Sequence, residues 1–458
     1  MLQTCKELNT KNQKYLLITE EVFLVLYDRI TFIEELDELI FMNTKRKLYD
    51  VIVIGGGASG MMSAGTSAHS GKSVLLLEKN KILGQKLNIS GGGRCNITND
   101  EDDIRIFLKH YANNKKTDEF LFSAFSKFNK NDSFKFFKDL GLPLVVEARK
   151  RAFPYTQKST DVTMALEKYL KENNVTIKTS SPVTKINKRD EKIISVQSCG
   201  TEYFANSFIL ATGGISHPET GSTGDGFKWL NDLGHTINPS TPSIVPLAVK
   251  EKYIKNLSGI SLTFMKITFY IDKVKKFVKK GKILFTHFGL SGPLILNSAS
   301  AVSELLHEGE VTASIDMYPD TDIGALDDKI IKIFDDNKNK MFKNILAECV
   351  PNGMAKSLID IIKIDPDTKV HSISKIQRRS FVDLLKALPA TITGLMGYDR
   401  AVVADGGITL DQIDMRTMRS NKIENLYITG DLLDINRPSG GFSLQLCWTT
   451  GYLAGTNA

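Results

Sequence analysis

Cysteine is scarce in this chain. Its 458 residues include five, Cys5, Cys95, Cys199, Cys349 and Cys447, with no CxxC spacing among them. An odd, scattered set argues against a disulfide framework and against a zinc site, and points to a reducing compartment, the cytoplasm. No metal is expected. Long apolar runs are also missing: none approaches the ~20 residues that a bilayer span requires, so no membrane partner is expected. No basic stretch leads into a long apolar segment and a small-residue cleavage site, which argues against a secretory signal. An acidic excess is absent too, since 59 Lys and Arg outnumber 52 Asp and Glu for a net charge of +7. That balance permits an anionic partner such as nucleic acid, although a solvated Lys-rich surface explains it more simply. What remains is ordinary for a globular protein of two or three domains, with 42% hydrophobic and 24% charged residues.

The most informative stretch runs from Tyr49 to Asn99. Val51 to Ile54 is an apolar, β-branched run, the pattern of a buried parallel strand. Gly55-x-Gly57-x-x-Gly60 follows at once, with Ala58 and Ser59 inside the motif, and Met61 to Ala68 reads as a small-residue helix. Val74 to Leu77 is a second buried strand, closed by Glu78 and Lys79. Gly55 allows the tight turn, Gly57 lets the backbone approach a pyrophosphate, and Gly60 lets helix and strand pack closely. Glu78 stands where an acid holds the hydroxyls of an adenosine ribose. Strand, glycines, helix, strand and acid together form a complete dinucleotide fingerprint. It does not by itself separate FAD from NAD.

The next segment does. Gly84 to Asn96 (GQKLNISGGGRCN) carries four glycines and the cations Lys86 and Arg94, and Ser90, Gly91 and Gly92 can offer free amides to a cofactor. With this loop, with RAFP at Arg151 to Pro154, ATGG at Ala211 to Gly214, THFGLSGP at Thr286 to Pro293, TMRS at Thr417 to Ser420 and TGDLLDINRPSGGFSLQ at Thr429 to Gln445, the chain resembles the BaiN/YhiN-like flavoproteins. The resemblance spans Tyr49 to the C-terminus. It implies an α/β fold: a Rossmann-like FAD-binding domain of the glutathione-reductase/fumarate-reductase type, with an inserted antiparallel β-barrel and a small helical subdomain. The expected segments are an N-terminal extension over 1–48, FAD domain over 49–245, barrel over 246–320, helical subdomain over 321–395, and a return to the FAD domain over 396–458. Residues 1–41 read as an extension from an upstream start codon.

Local patterns agree with this plan. Residues 100–160 look helical up to the break at Gly141-Leu142-Pro143, and a hairpin follows with a basic cluster at Arg149, Lys150 and Arg151. Phe208 to Leu210 reads as a buried strand ending at Thr212-Gly213. Thr263 to Ile271 alternates, and Lys275, Lys276, Lys279, Lys280 and Lys282 flank the next strand as a solvated hairpin or, on a sharper reading, a phosphate contact. Residues 321–390 show helical spacing, and Gln377-Arg378-Arg379 is a surface helix end that could face RNA. Arg400 to Ala404 reads as a strand and Asp405-Gly406-Gly407 as a turn. In the flavoprotein pattern Gly430-Asp431 meets the ribityl chain. Gly440, Gly441, Phe442 and Ser443 lead into a helix whose N-terminal amides, placed at flavin N1 and O2, would stabilise the anion of reduced flavin.

Flavin supplies hydride chemistry and the protein supplies position and electrostatics. Only one complete fingerprint is present, so NAD(P)H is expected as a transient reductant. The resemblance implies one of two substrates: a uridine of large-subunit ribosomal RNA, reduced to dihydrouridine, or a 3-oxo bile acid with a conjugated C=C bond. Either takes a hydride at the carbon β to a carbonyl and a proton at the α carbon. The basic balance, the Lys275 to Lys282 cluster and Arg149 to Arg151 tip the expectation towards RNA. Cys95, within the cofactor loop, and His287 are candidate proton donors, and Arg437 is a candidate to polarise the carbonyl. Each has a plainer role open to it: buried small side chain, loop-fixing hydrogen bonder, and structural cation. A flavin-containing binding or redox-sensing module and an amine oxidase are the other classes kept open.

Overall fold

In the computed structural model the described residues are 47–111 and 115–458. The extension expected over 1–41 lies outside them. Residues 49–458 form one compact unit.

The unit is organised on a seven-stranded sheet. Strands β1 (Leu48–Ile54) and β2 (Val74–Leu77) pair in parallel, joined by helix α1 (Ala58–His69). All four β2 residues are buried, as a strand covered on both faces must be. Helix α2 (Gln85–Gly93) follows β2, and the short strand β3 (Thr98–Asn99) follows α2. Strands β4 (Leu144–Glu147) and β5 (Arg151–Pro154) form the expected hairpin, which pairs with β3. β6 (Thr176–Lys178) extends the main sheet beyond β2. β7 (Val183–Arg189), β8 (Lys192–Ser198) and β9 (Thr201–Leu210) form an antiparallel meander that returns β9 to the side of β1.

β10 (Ile237–Pro242) leaves this sheet, and a closed barrel follows. Its strands, β11 (Leu247–Val249), β12 (Ser261–Ile271), β13 (Val274–Thr286), β14 (Gly289–Ser291), β15 (Val311–Asp316) and β16 (Leu388–Leu395), close in the order β11-β14-β13-β12-β15-β16. Helix α3 (Pro293–Leu296) follows β14. The helices over Ile323–Asp336, Phe342–Cys349, Ala355–Leu358 and Lys375–Lys386 lie between β15 and β16 in the chain and share one hydrophobic core with the barrel. The closing strand thus lies at the end of the stretch read as helical, since its alternating burial is short and follows a helix without a break.

The chain then returns through β17 (Ala404–Ile408), which pairs with β10, and β18 (Leu426–Ile428), which pairs in parallel with β9. Asp405-Gly406-Gly407 is therefore strand rather than turn, and the strand starts only at Ala404. The glycines serve close approach: a Cβ at Gly406 would lie 2.4 Å from the Pro239 carbonyl oxygen, and one at Gly407 2.5 Å from that of Leu432.

The final helix, α4 (Phe442–Asn457), lies against α1. Gly451 and Gly455 bring it down to backbone contact, since a Cβ there would meet Ser59 O at 2.6 Å and Ser63 O at 2.5 Å. Ser67 Oγ donates to Gly455 O at 2.8 Å. The two ends of the described chain are thereby fastened at the same place.

Candidate active site

A cavity of about 880 Å³ opens where these pieces meet. Its floor is the turn from β1 into α1, with Gly55, Gly57, Ala58 and Ser59 in the wall. Gly55 has φ +106°, and a Cβ there would lie 2.5 Å from Ala211 O. Gly60 lies beneath the wall, where a Cβ would meet Gly55 O at 1.8 Å. At Gly57 a Cβ would meet nothing within 4 Å, so this position opens onto the cavity. The N-terminus of α1 has no side-chain cap, and neither does that of α4. Both first turns, Ala58-Ser59 and Phe442-Ser443-Leu444, face the cavity, which presents unsatisfied amides and two partial positive charges to whatever fills it.

Glu78 closes β2 and is 7% exposed. Its Oε2 accepts from Gly56 N–H at 2.6 Å and its Oε1 from Asn80 N–H at 2.7 Å, which holds the carboxylate beside the glycine turn with lone pairs left for hydroxyl donors. The stretch expected as a loop is helical from Gln85, then breaks: Ser90 is extended, and Gly91 (φ 59°) and Gly92 (φ 68°) are left-handed. Lys86, Ser90, Gly91, Gly92, Arg94 and Asn96 line the cavity from this break. Thr212, Gly213, Asp431, Gly440 and Gly441 complete the wall. Gly430 sits just behind it, its N–H donating to Thr450 Oγ1 at 3.0 Å. The uncapped helix ends, the open glycine and the held acid fit a dinucleotide, and FAD bound here would supply hydride chemistry.

One buried cluster anchors the far wall. Asp431 sits between Lys86 Nζ, at 3.4 Å, and the guanidinium of Arg437, which is ion-paired to it. Arg437 also donates from Nη1 to Ile435 O at 2.5 Å and from Nε to Ser443 Oγ at 3.2 Å. Burial pushes the Asp431 carboxyl up, but Arg437 and Lys86 outweigh it and hold it below the usual carboxylate range.

None of the three residues proposed from the sequence for catalysis lines the cavity. Arg437 is 2% exposed and fully used by Asp431, Ile435 and Ser443, so it braces the wall and polarises no substrate carbonyl. Cys95 is 0% exposed and lies off the cavity wall, which separates its thiol from any substrate there, and burial pushes that thiol up to about 12. The same burial takes it out of the cofactor wall. His287 is exposed in the tight turn between β13 and β14, where it packs against Phe288. The lysines of β13 are also outside the cavity, and Lys276 and Lys280 are ion-paired to Glu308 and Asp320. Arg378 is held by Asp327 at 2.7 Å.

The side chains the sequence did not single out are at the cavity mouth: Asn99, Glu101, His110 and Asn297. His110 packs on the ring of Phe442, 4.5 Å between centroids. Burial lowers its pKa, and Glu101 offsets this in part. Asn297, just after α3 of the barrel unit, accepts from Ser439 N–H at 3.2 Å and from Ser439 Oγ at 2.9 Å, joining the barrel to the Gly440-Gly441 turn. No motif marks these positions. The only signal was the neighbouring Arg149–Arg151 cluster, whose place at the mouth follows from β5 pairing with β3.

Fold and cradle together define an FAD-dependent oxidoreductase of the Rossmann type. Within that class the chain belongs to the HI0933-like family, whose Rossmann-domain model matches residues 49–457. The chain is 28% identical over 413 residues to a 3-dehydro-bile acid delta(4,6)-reductase of Clostridium scindens, covering 89% of this chain and 98% of that protein. It is 29% identical over 406 residues to a ribosomal RNA dihydrouridine synthase of Haemophilus influenzae, covering 88% and 96%. A 3-ketosteroid-delta4-(5alpha)-dehydrogenase from Rhodococcus jostii RHA1 shares the fold with a TM-score of 0.52 at 12% identity, over 90% of this chain and 97% of that one. Among the described residues no helix is long and apolar enough to cross a membrane.

Proposed function

We propose that this oxidoreductase reduces a C=C bond conjugated to a carbonyl, and that its substrate is a uridine in large-subunit ribosomal RNA, converted to dihydrouridine. The observation that carries the choice is the chemistry of the cavity mouth. Asn99, Glu101, His110, Arg149, Lys150, Arg151, Asn297 and Ser439 add polar and cationic side chains to a cavity that is otherwise largely apolar. A steroid nucleus favours an apolar concave pocket. A base flipped from folded RNA favours polar edges inside and cations outside for its backbone. The relatives named above are equally similar for either substrate, at 28% and 29% identity over nearly their whole lengths, so the mouth alone carries the choice.

The reaction needs a proton at the α carbon and a reductant for the cofactor. His110 supplies the proton: it lines the cavity, Phe442 fixes its ring, and among the described residues neither ring nitrogen has a hydrogen-bond partner. NAD(P)H visits the cofactor transiently, because the chain holds one dinucleotide fingerprint. Substrate and reductant together assign the reaction to the cytoplasm.

The test is nucleoside mass spectrometry of ribosomal RNA from cells with and without the gene. Loss of dihydrouridine in the deletion, restored by the wild-type protein, is expected. Unchanged dihydrouridine would overturn the RNA substrate in favour of a small-molecule enone.

A further inference from the structure

We propose that Arg149 and Arg151 form a phosphate clamp at the cavity mouth, holding the phosphodiester beside the nucleotide that enters. The inference rests on the RNA substrate proposed above and names the group that binds it.

The argument begins with a census of charge. Six Lys and Arg residues line the cavity: Lys79, Lys86, Arg94, Arg149, Lys150 and Arg151. Four have a carboxylate. Lys79 pairs with Asp225 at 2.8 Å, Lys86 with Asp431 at 3.4 Å, Arg94 with Glu147, and Lys150 with Glu101 at 2.9 Å. Arg149 and Arg151 have none among the described residues. The acids nearest the mouth are already engaged. Asp100 and Asp102 are held by Lys130, both at 2.6 Å, Glu101 by Lys150, and Glu147 by Arg94. Two guanidiniums therefore line the cavity without a carboxylate among the described residues, while its other cations are ion-paired.

The backbone holds them there at a cost. Arg149 (φ 63°) and Lys150 (φ 57°) are consecutive left-handed residues in the turn from β4 to β5. Glycine or asparagine would adopt that geometry more easily, and each long side chain costs about 1 kcal/mol there. The turn is nevertheless fixed. Arg149 O accepts from Asn99 Nδ2 at 3.2 Å, Lys150 O accepts from Asp100 N–H at 2.6 Å, and Asn99 Nδ2 also donates to Gly440 O at 3.1 Å. Arg149 is thus tied through two hydrogen bonds to the glycine turn that opens α4. Arg151 donates from Nε to Ala148 O at 3.1 Å and lies 5.5 Å from the centre of the Phe153 ring, so its remaining donors are oriented but unused.

Planar guanidiniums match phosphate geometry, and the left-handed pair at Arg149 and Lys150 is the backbone this hairpin turn requires. The placement suits a polymer. The reacting base enters, and its charged backbone stays at the opening.

The test uses the full FAD-loaded protein and large-subunit ribosomal RNA from cells lacking the gene. The variants are the double substitutions R149A/R151A and R149K/R151K, with folding checked by bound flavin. For the alanine pair, Kd and KM for this RNA are expected to rise about tenfold to a hundredfold. The slope of log affinity against log salt should fall by about 1.4, for two phosphates of single-stranded RNA at about 0.7 each. The lysine pair should restore the slope but only part of the affinity, because a point charge replaces a fork. Wild-type affinity and slope in the alanine pair, with dihydrouridine still formed by the wild-type protein, would overturn the clamp alone. No dihydrouridine from the wild-type protein would overturn the clamp together with its substrate.

Discussion

The two ends of the cavity are built on opposite rules. At the inner end the cations are ion-paired, Lys79 with Asp225 and both Lys86 and Arg437 with Asp431, and the acid Glu78 is held by backbone amides. Glycines press backbone against backbone, and two helix N-termini are left without caps. At the outer end, among the described residues, Arg149 and Arg151 lack carboxylates and the ring nitrogens of His110 lack hydrogen-bond partners. A site for a resident cofactor can keep its cations paired and its backbone closely packed, because it is filled once. A site for a passing substrate must keep its donors free, and it tolerates their mutual repulsion between visits.

Substitutions can break this contrast, starting with the deepest. Gly60→Ala would force a Cβ to within 1.8 Å of Gly55 O, so the β1–α1 turn must move. The expected result is loss of bound flavin and destabilisation above about 4 kcal/mol, read by flavin content and thermal unfolding. Arg437→Met leaves Asp431 buried with only Lys86 at 3.4 Å. We expect a loss of about 3 kcal/mol in denaturant unfolding and weaker flavin retention. An unaltered unfolding midpoint would show that the cluster does not brace the wall.

At the mouth the effects should fall on turnover. His110→Gln is expected to slow substrate reduction about 10²-fold in single-turnover kinetics while flavin content holds. An acid must be protonated to act, and burial puts the His110 pKa below the ordinary 6.5. The wild-type rate should therefore fall as pH rises through that lowered value, and the variant should lack this limb.

The smallest effect belongs to a histidine distant from the contrast, and it serves as its control. His235 is 3% exposed, with Nε2 2.7 Å from Ser420 Oγ and Nδ1 3.1 Å from Leu230 O. Burial lowers its pKa, so between the folded value and 6.5 the unfolded chain binds more protons. Stability is then full above pH 6.5 and declines as pH falls below it. His235→Gln should flatten that decline in thermal melts, separating acid unfolding from titration at the mouth.

The inner end was legible in the sequence because its chemistry is local. Gly55, Gly57, Gly60 and Glu78 lie on one βαβ unit, where spacing alone determines position. Gly440 to Ser443 could be read because a glycine turn before a helix leaves amides free wherever it occurs. The mouth was not legible, because no local rule assembles it. His110 meets Phe442 across more than three hundred residues of chain, and Asn297 arrives from the barrel. Arg149 to Arg151 stood out as a charge cluster, but only the pairing of β5 with β3 shows where it faces. Two of the catalytic residues proposed from the sequence lie off the cavity wall for a related reason. Cys95 and Arg437 sit in the right motifs but point into the protein, and motif position does not report direction. The barrel was visible as alternation, whereas its closing strand, beyond four helices, was not.

Helix α4 carries one more consequence, for the order of events during synthesis. Its glycines seat against Ser59 and Ser63 of α1, and its first turn completes the cradle that the β1–α1 turn begins. The ribosome makes these two halves at opposite ends of the described chain, with the barrel between them. A nascent chain that has not yet reached α4 has no second helix end to offer the cofactor. The cradle is therefore complete only once α4 has been made.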